Sequence, residues 1–261
     1  MTISQRIKLS GFNNLTKTLS FNFFDVCFVR NPGERSAYLD YIDEKYNSVA
    51  LAEILTTCAS VVGATVLNVS NHDYDPHGAS VNLLIAEGPV NAPMVGEKTS
   101  EMCLAHLNKS HICVHTYPEY HPDDGIATFR ADIDVATCGD ISPLLALNWL
   151  IARFDGDVMN IDYRVRGFTR DMDGRKHYVD DPVESIQDFI EPSVLAGYHA
   201  ADCNSADARL WNTKLRLREI PVDEFLFDPR GAKALPPAEQ ERIQGRLRRE
   251  IDEIFGNYNL D

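Results

Sequence analysis

The chain has 261 residues, 44% of them apolar and 25% charged, which is the composition of an ordinary globular protein with room for a substantial core. Its 39 acidic residues outweigh 25 basic ones, a formal net charge of −14. That balance argues against nucleic acid or an anionic membrane as partner, because phosphates are repelled on average, and it is compatible with a cationic substrate. No apolar run approaches the roughly eighteen residues of a membrane span, and "MTISQRIKLSGFNNLTK" lacks the apolar stretch of a secretory leader, so a soluble, cytoplasmic protein is expected. Cys27, Cys58, Cys103, Cys113, Cys138 and Cys203 are scattered with no C-x-x-C pair, which reads as free thiols in a reducing compartment, with room for one reactive member.

In chain order, "LSFNFFDVCFV" (19–29) is aromatic and β-branched and predicts a buried strand, broken by Pro32-Gly33. From Glu34 to Val62 the spacing turns helical, with Leu39, Ile42, Leu51, Ile54, Leu55 and Cys58 near one stripe. Asn47-Ser48 offers a point of division and Gly63 a stop. "ATVLNVS" (64–70) and "ASVNLLIAE" (79–87) read as strands around the polar loop "NHDYDPHG". Residues 88–102, with two prolines and two glycines, read as a connecting loop. Two strands follow: in "HICVHTY" Ile112, Val114 and Thr116 alternate with polar and thiol side chains, and in "TFRADIDV" Phe129, Ala131, Ile133 and Val135 alternate with Arg130, Asp132 and Asp134. Next comes a helix capped by Ser142, with Pro143 at its first position and Leu144, Leu147, Ile151 and Phe154 as its buried stripe. A strand–turn–strand centred on Asp173-Gly174, a strand in "TKLRLREI" and a charged, exposed helix from Pro236 to Tyr258 complete the chain. The order predicts an α+β sandwich: a mostly antiparallel sheet with helices packed on its faces.

The stretch "NKSHICVHTYPE" (108–119) carries the candidate chemistry. On a strand His111, Cys113 and His115 share a face, and Cys138 or His121 offers a fourth zinc ligand. However, H-x-C-x-H is not a common zinc spacing, and hydrogen-bonded strand histidines are the plainer reading. No G-x-S-x-G elbow, P-loop or dinucleotide fingerprint is present. The residues by themselves place a serine, two histidines and a thiol near a strand edge and leave the choice open.

The blocks "KSHICVHTYPE", "GAS" (78–80) and "TCG" (137–139) resemble the S-adenosylmethionine decarboxylase proenzyme family. The longer frame of "GFNNLTKTLSFNFFDVCF", "YIDEKYN", "DYDPHGASV", "TFRADIDVATCGDISPLLALNWLI" and "IDYRVRGFTRDMDG" is similar to its larger-chain bacterial branch, over most of residues 11–190. The resemblance implies one domain, 1–261, that cleaves itself between Lys109 and Ser110 into a β chain 1–109 and an α chain 110–261. Ser110 would become a covalent pyruvoyl group that holds the substrate amine as a Schiff base. His115 and Ser80 would assist processing, Cys138 would donate the proton in decarboxylation, Tyr74 would stack on adenine and Glu119 would contact substrate. It also implies magnesium as an activator and a homo-oligomer of αβ units, while no metal ligand is assigned to any residue.

The residue types suit that chemistry. A serine hydroxyl can attack the carbonyl before it through a five-membered ring, so proximity is built in. A histidine and a second serine can move protons and stabilise the oxyanion, and a thiol with an ordinary pKa of about 8.5 is mostly protonated at neutral pH. The expected reaction turns S-adenosylmethionine into its decarboxylated aminopropyl donor for spermidine synthesis. The alternatives are the same pyruvoyl chemistry on arginine or ornithine, and an uncleaved, non-catalytic regulatory homologue.

Overall fold

The first long strand shows how the molecule is layered. In β1 (Thr16–Phe28) Lys17, Leu19, Phe21 and Phe23 are buried on one face, and beyond Asp25 burial passes to Val26 and Phe28 on the other. A strand alternates its side chains between two faces, so this change of parity marks where the second face also acquires a cover. The computed structural model describes residues 7–11, 13–87, 110–121, 125–228 and 235–260.

β1 lies inside an eight-stranded sheet whose neighbouring strands all pair antiparallel. Its other members are β2 (Ala64–Asp73), β3 (Ala79–Glu87), β4 (Ser110–Tyr120), β5 (Ile126–Cys138), β6 (Val158–Arg166), β9 (Tyr198–Asp202) and β10 (Leu210–Leu217). The order across the sheet is β2-β3-β4-β5-β1-β6-β10-β9, and β7 (Thr169–Arg170) and β8 (Lys176–His177) form a separate two-stranded ribbon.

Helices α1 (Pro32–Lys45), α2 (Ser48–Val61) and α3 (Leu147–Phe154) cover one face. Asn47 ends one helix run and caps the next, its side chain accepting from Ala50 N at 2.9 Å, so the predicted division falls where expected. Gly63, at φ +78°, supplies the predicted stop. Stacked rings of Phe21, Phe23, Phe154, Tyr46 and Phe129 tie these helices to the sheet, the closest pair being Tyr46–Phe129 at 4.4 Å between centroids.

The other face is polar along its middle, where Asn22 donates to Asp132 at 2.6 Å, and it is covered at one end by α4 (Pro237–Gly256). This corrects the expected exposed helix: Ile243, Leu247 and Ile251, at i, i+4 and i+8, are fully buried against Val26, Phe28, Ile126 and Val158. Each such burial contributes about 1.5–3 kcal/mol.

Three further differences have local causes. Ser142 has the extended backbone of a cap but makes no side-chain cap bond, and residues Pro143–Ala146 form a 3-10 turn before α3. The turn at Asp173-Gly174 joins only the short β7 and β8, because β6 is taken up between β1 and β10. The strand β9 falls where the sequence pattern predicts no element. The expected loop 88–102 lies outside the described residues. Among the described residues no helix is long and apolar enough to cross a membrane.

Candidate functional site

Ser110 heads β4, 6% exposed and opposite Ile85 of β3. Cys138 ends β5, opposite Thr16 of β1, and is exposed. The antiparallel register brings the two ends together: Cys138 N–H donates to Ser110 Oγ at 3.0 Å, and Cys138 Sγ lies 3.3 Å from that oxygen. The turn after β5 is braced by Thr137 Oγ1 donating to the Ile141 carbonyl at 3.0 Å and by Gly139 N–H donating to the Leu15 carbonyl at 3.3 Å. A hydroxyl held by a backbone N–H beside a thiol thus sits at one end of the sheet. Lys109 lies outside the described residues.

A second group forms farther along β4. His115 is paired across strands with Ser80 on one side and Asp132 on the other, and its Nδ1 is 3.0 Å from the Tyr74 hydroxyl. Both Ser80 and His115 are half-buried on the polar face. Glu119 is exposed four residues beyond His115, opposite Thr128. Tyr117, absent from the sequence reading, stands on the same face with its ring 6.5 Å from that of Tyr74 and the Arg130 guanidinium 5.6 Å away. Its signal was available in the alternation: position 117 is two past His115 and so faces the same way.

The structure therefore joins Ser110 to Cys138, and Tyr74 to His115 and Ser80, but within one chain it does not join the two groups. Five residue steps along the strand separate Ser110 from His115, about 17 Å of rise. The other thiols have different surroundings. Burial first, then the Asp134 charge, pushes Cys113 up to about 11; burial pushes Cys58 up to about 12 and, with Asp25, Asp157 and Glu34, drives Cys27 higher still.

His111, Cys113 and His115 do line one face, yet among the described residues no three His, Cys, Asp or Glu side chains gather as a metal-ligand set. No ligand set for magnesium or zinc is thus assigned among the described residues. Ser110 does fit the role of a modified residue: it is buried, it starts a strand, and its oxygen is held by a backbone donor.

The antiparallel α+β sandwich thus holds a buried serine, fixed by a backbone N–H, beside a thiol, the pairing of residue types found where an enzyme transfers an acyl group or a proton. The sequence profile of the family described as S-adenosylmethionine decarboxylase matches residues 42–167. A protein of Clostridium acetobutylicum named S-adenosylmethionine decarboxylase proenzyme is 50% identical over 268 residues, spanning 100% of this chain and 97% of that one. One of the same name from Halorhodospira halophila is 52% identical over 263 residues, spanning 98% and 96%. The chain belongs to the S-adenosylmethionine decarboxylase family. A solved adenosylmethionine decarboxylase from Aquifex aeolicus is 20% identical, covering 66% of this chain and 99% of its own, at a TM-score of 0.34, too loose a match to carry an argument.

Proposed function

We propose that the protein is a self-processing, pyruvoyl-dependent decarboxylase that converts S-adenosylmethionine to the decarboxylated aminopropyl donor for spermidine synthesis. The observation that carries this reading is the contact of Ser110 with Cys138, a nucleophile held by a backbone N–H at 3.0 Å with a thiol 3.3 Å away. A single domain, 1–261, is made as a precursor and divides into 1–109 and 110–261.

In the first step the Ser110 hydroxyl attacks the carbonyl of Lys109, and the amide becomes an ester as the chain shifts from nitrogen to oxygen. His115 then removes the Ser110 α-proton and the β chain leaves as a carboxylate; the dehydroalanine left at position 110 tautomerises, takes up water and releases ammonia, which leaves the pyruvoyl carbonyl. Tyr74 holds His115 at Nδ1, which leaves Nε2 for proton transfer. Ser80, beside His115, steadies the developing charge. The pyruvoyl group, once formed, supplies a ketone that takes up the electron pair left as carbon dioxide departs. Cys138 protonates the substrate carbon, Tyr74 and Tyr117 offer faces for the adenine ring, and Glu119 contacts the substrate from the same side. The net charge of −14 favours the cationic sulfonium.

Because Ser110 and His115 are about 17 Å apart along one strand, the imidazole that serves a given Ser110 belongs to a second copy of the chain. The working form is a homo-oligomer of αβ units, and the free thiols suit a cytoplasmic setting.

The test is the intact mass of purified wild type beside Ser110→Ala. Two wild-type fragments meeting at Lys109–Ser110, with a blocked amino terminus on residue 110, are expected against an uncut variant. Carbon dioxide release is expected from S-adenosylmethionine and not from arginine or ornithine. A wild-type chain that stays whole on long incubation defeats the proposal.

A further inference from the structure

The turn between β2 and β3, Tyr74–Gly78, is fastened from outside the site. Asp43, on α1, holds His77 Nδ1 at 2.6 Å with one carboxylate oxygen and accepts from Gly78 N–H at 3.3 Å with the other. The turn closes on itself through Tyr74 N–H donating to the Gly78 carbonyl at 2.8 Å. Just before it, Asp73 accepts from Ser48 N–H at 2.6 Å and Ser48 Oγ at 2.9 Å, fixing the end of β2 to the start of α2. Just after it, Ala79 N–H donates to Thr116 Oγ1 at 2.8 Å. Gly78 has φ +96°, and a Cβ there would stand 2.4 Å from the Thr116 carbonyl oxygen. The turn therefore lies flat on β4 next to His115, and only glycine fits at its point of contact.

Tyr74 is the one member of this turn that reaches the proposed chemistry, with its hydroxyl 3.0 Å from His115 Nδ1. A tyrosine hydroxyl at the end of a rigid ring shifts by whatever its backbone shifts, so the position of the turn sets the hydrogen bond. We propose that Asp43 and His77 are positioning residues: together they hold the turn so that Tyr74 fixes the orientation of the His115 imidazole and presents its ring to substrate. This deepens the function proposed above and rests on it.

The Asp43–His77 pair is poorly suited to a merely structural role. Its side chains are 39% and 32% exposed, and ion pairs at such exposure contribute little to stability. Catalysis is far more sensitive, since a displacement of 1 Å in a reacting group can cost a hundredfold.

The experiment uses the full chain as wild type, Asp43→Ala, Asp43→Asn, Tyr74→Phe and the Asp43→Ala/Tyr74→Phe double variant. The rate of self-cleavage is followed by intact mass; KM, kcat and Tm are measured on the cleaved fraction. Asp43→Ala is expected to slow cleavage and raise KM about tenfold each, with kcat within about twofold and Tm within about 2 °C of wild type. Asp43→Asn, which keeps an acceptor for Gly78 N–H, is expected to recover most of both losses. In the Tyr74→Phe background Asp43→Ala is expected to have no further effect on cleavage, because the hydroxyl it acts through is gone. Unchanged cleavage and KM in Asp43→Ala, or the same slowing with and without the Tyr74 hydroxyl, overturns the positioning role alone. A wild-type chain that never cleaves removes the pyruvoyl reading, and the positioning role with it.

Discussion

Cys138 offers two different groups to Ser110, and one substitution separates them. Its backbone N–H holds the serine oxygen at 3.0 Å, whereas only its thiol, at 3.3 Å, can supply a proton to substrate. Cys138→Ala keeps the first and removes the second. Self-cleavage should persist in this variant while kcat of the cleaved enzyme falls by about 10²–10⁴, the usual worth of a placed general acid; fragment masses and carbon dioxide release on one sample read both. Loss of cleavage would assign the thiol to processing instead. A second pair of residues matters away from the site. Asp157 accepts from Val26 N–H at 2.6 Å and is hydrogen-bonded to Asp25. Burial raises Asp25 to about 6 against the pull of Lys45, with Asp155 adding to the rise. Burial and then the Asp25 charge raise Asp157 well above the usual carboxylate range. Both groups hold protons in the folded chain that the unfolded chain releases above its ordinary value near 4. The folded state thus binds more protons as pH rises from about 4 to 6 and beyond, so stability falls through that window. Asp157→Asn keeps an acceptor for Val26 and carries no ionisable proton. Its Tm should lose the Asp157 share of this decline, leaving that of Asp25, and exceed that of wild type above pH 7, as read in thermal melts across pH.

At the level of elements, the C-terminal helix separates what local pattern reveals from what packing decides. Its charged surface is plain in the sequence, and Ile243, Leu247 and Ile251 form a stripe so narrow that the local pattern matches an exposed helix. The matching signal was in β1, where Val26 and Phe28 continue the apolar run on the face opposite Phe21 and Phe23. Leu247→Ala should cost about 2–5 kcal/mol in denaturant unfolding, while leaving decarboxylation per folded molecule unchanged. The strands β1 to β5 and the helix pair divided at Asn47 were legible because alternation and capping are local. β9 was not: it is short, lies at the sheet edge and contains the small residues Ala200 and Ala201. The site divides the same way. Ser110 and Cys138 are 28 positions apart, and their contact depends on strand register, which no local pattern encodes; only the matched blocks singled them out. Tyr117 was missed although alternation places it on the His115 face, whereas Asp43 and His77 meet only after α1 has packed beside the turn.

For the whole molecule the decisive quantity is the length of β4 between its two groups of candidate site residues. Ser110 with Cys138 marks one end, and His115 with Tyr74 and Ser80 stands about 17 Å away. No rotamer change closes such a gap, since an imidazole reaches only a few ångströms from its backbone. If both groups serve one reaction, they meet across an interface, and each copy lends its histidine to another copy's serine. Mixed oligomers test this directly. Ser110→Ala alone cannot cleave for lack of the nucleophile, and His115→Ala alone should be at least about a hundredfold slow for lack of the base. When the two are produced together with different tags, the His115→Ala chain should be cut, because its intact Ser110 now faces a histidine from the Ser110→Ala copy. Only that tag should appear on fragments, and diluting the mixture below its assembly concentration should stop further cutting. If cleavage is not restored although the mixed assembly forms, the histidine acts within its own chain, and β4 must rearrange before processing.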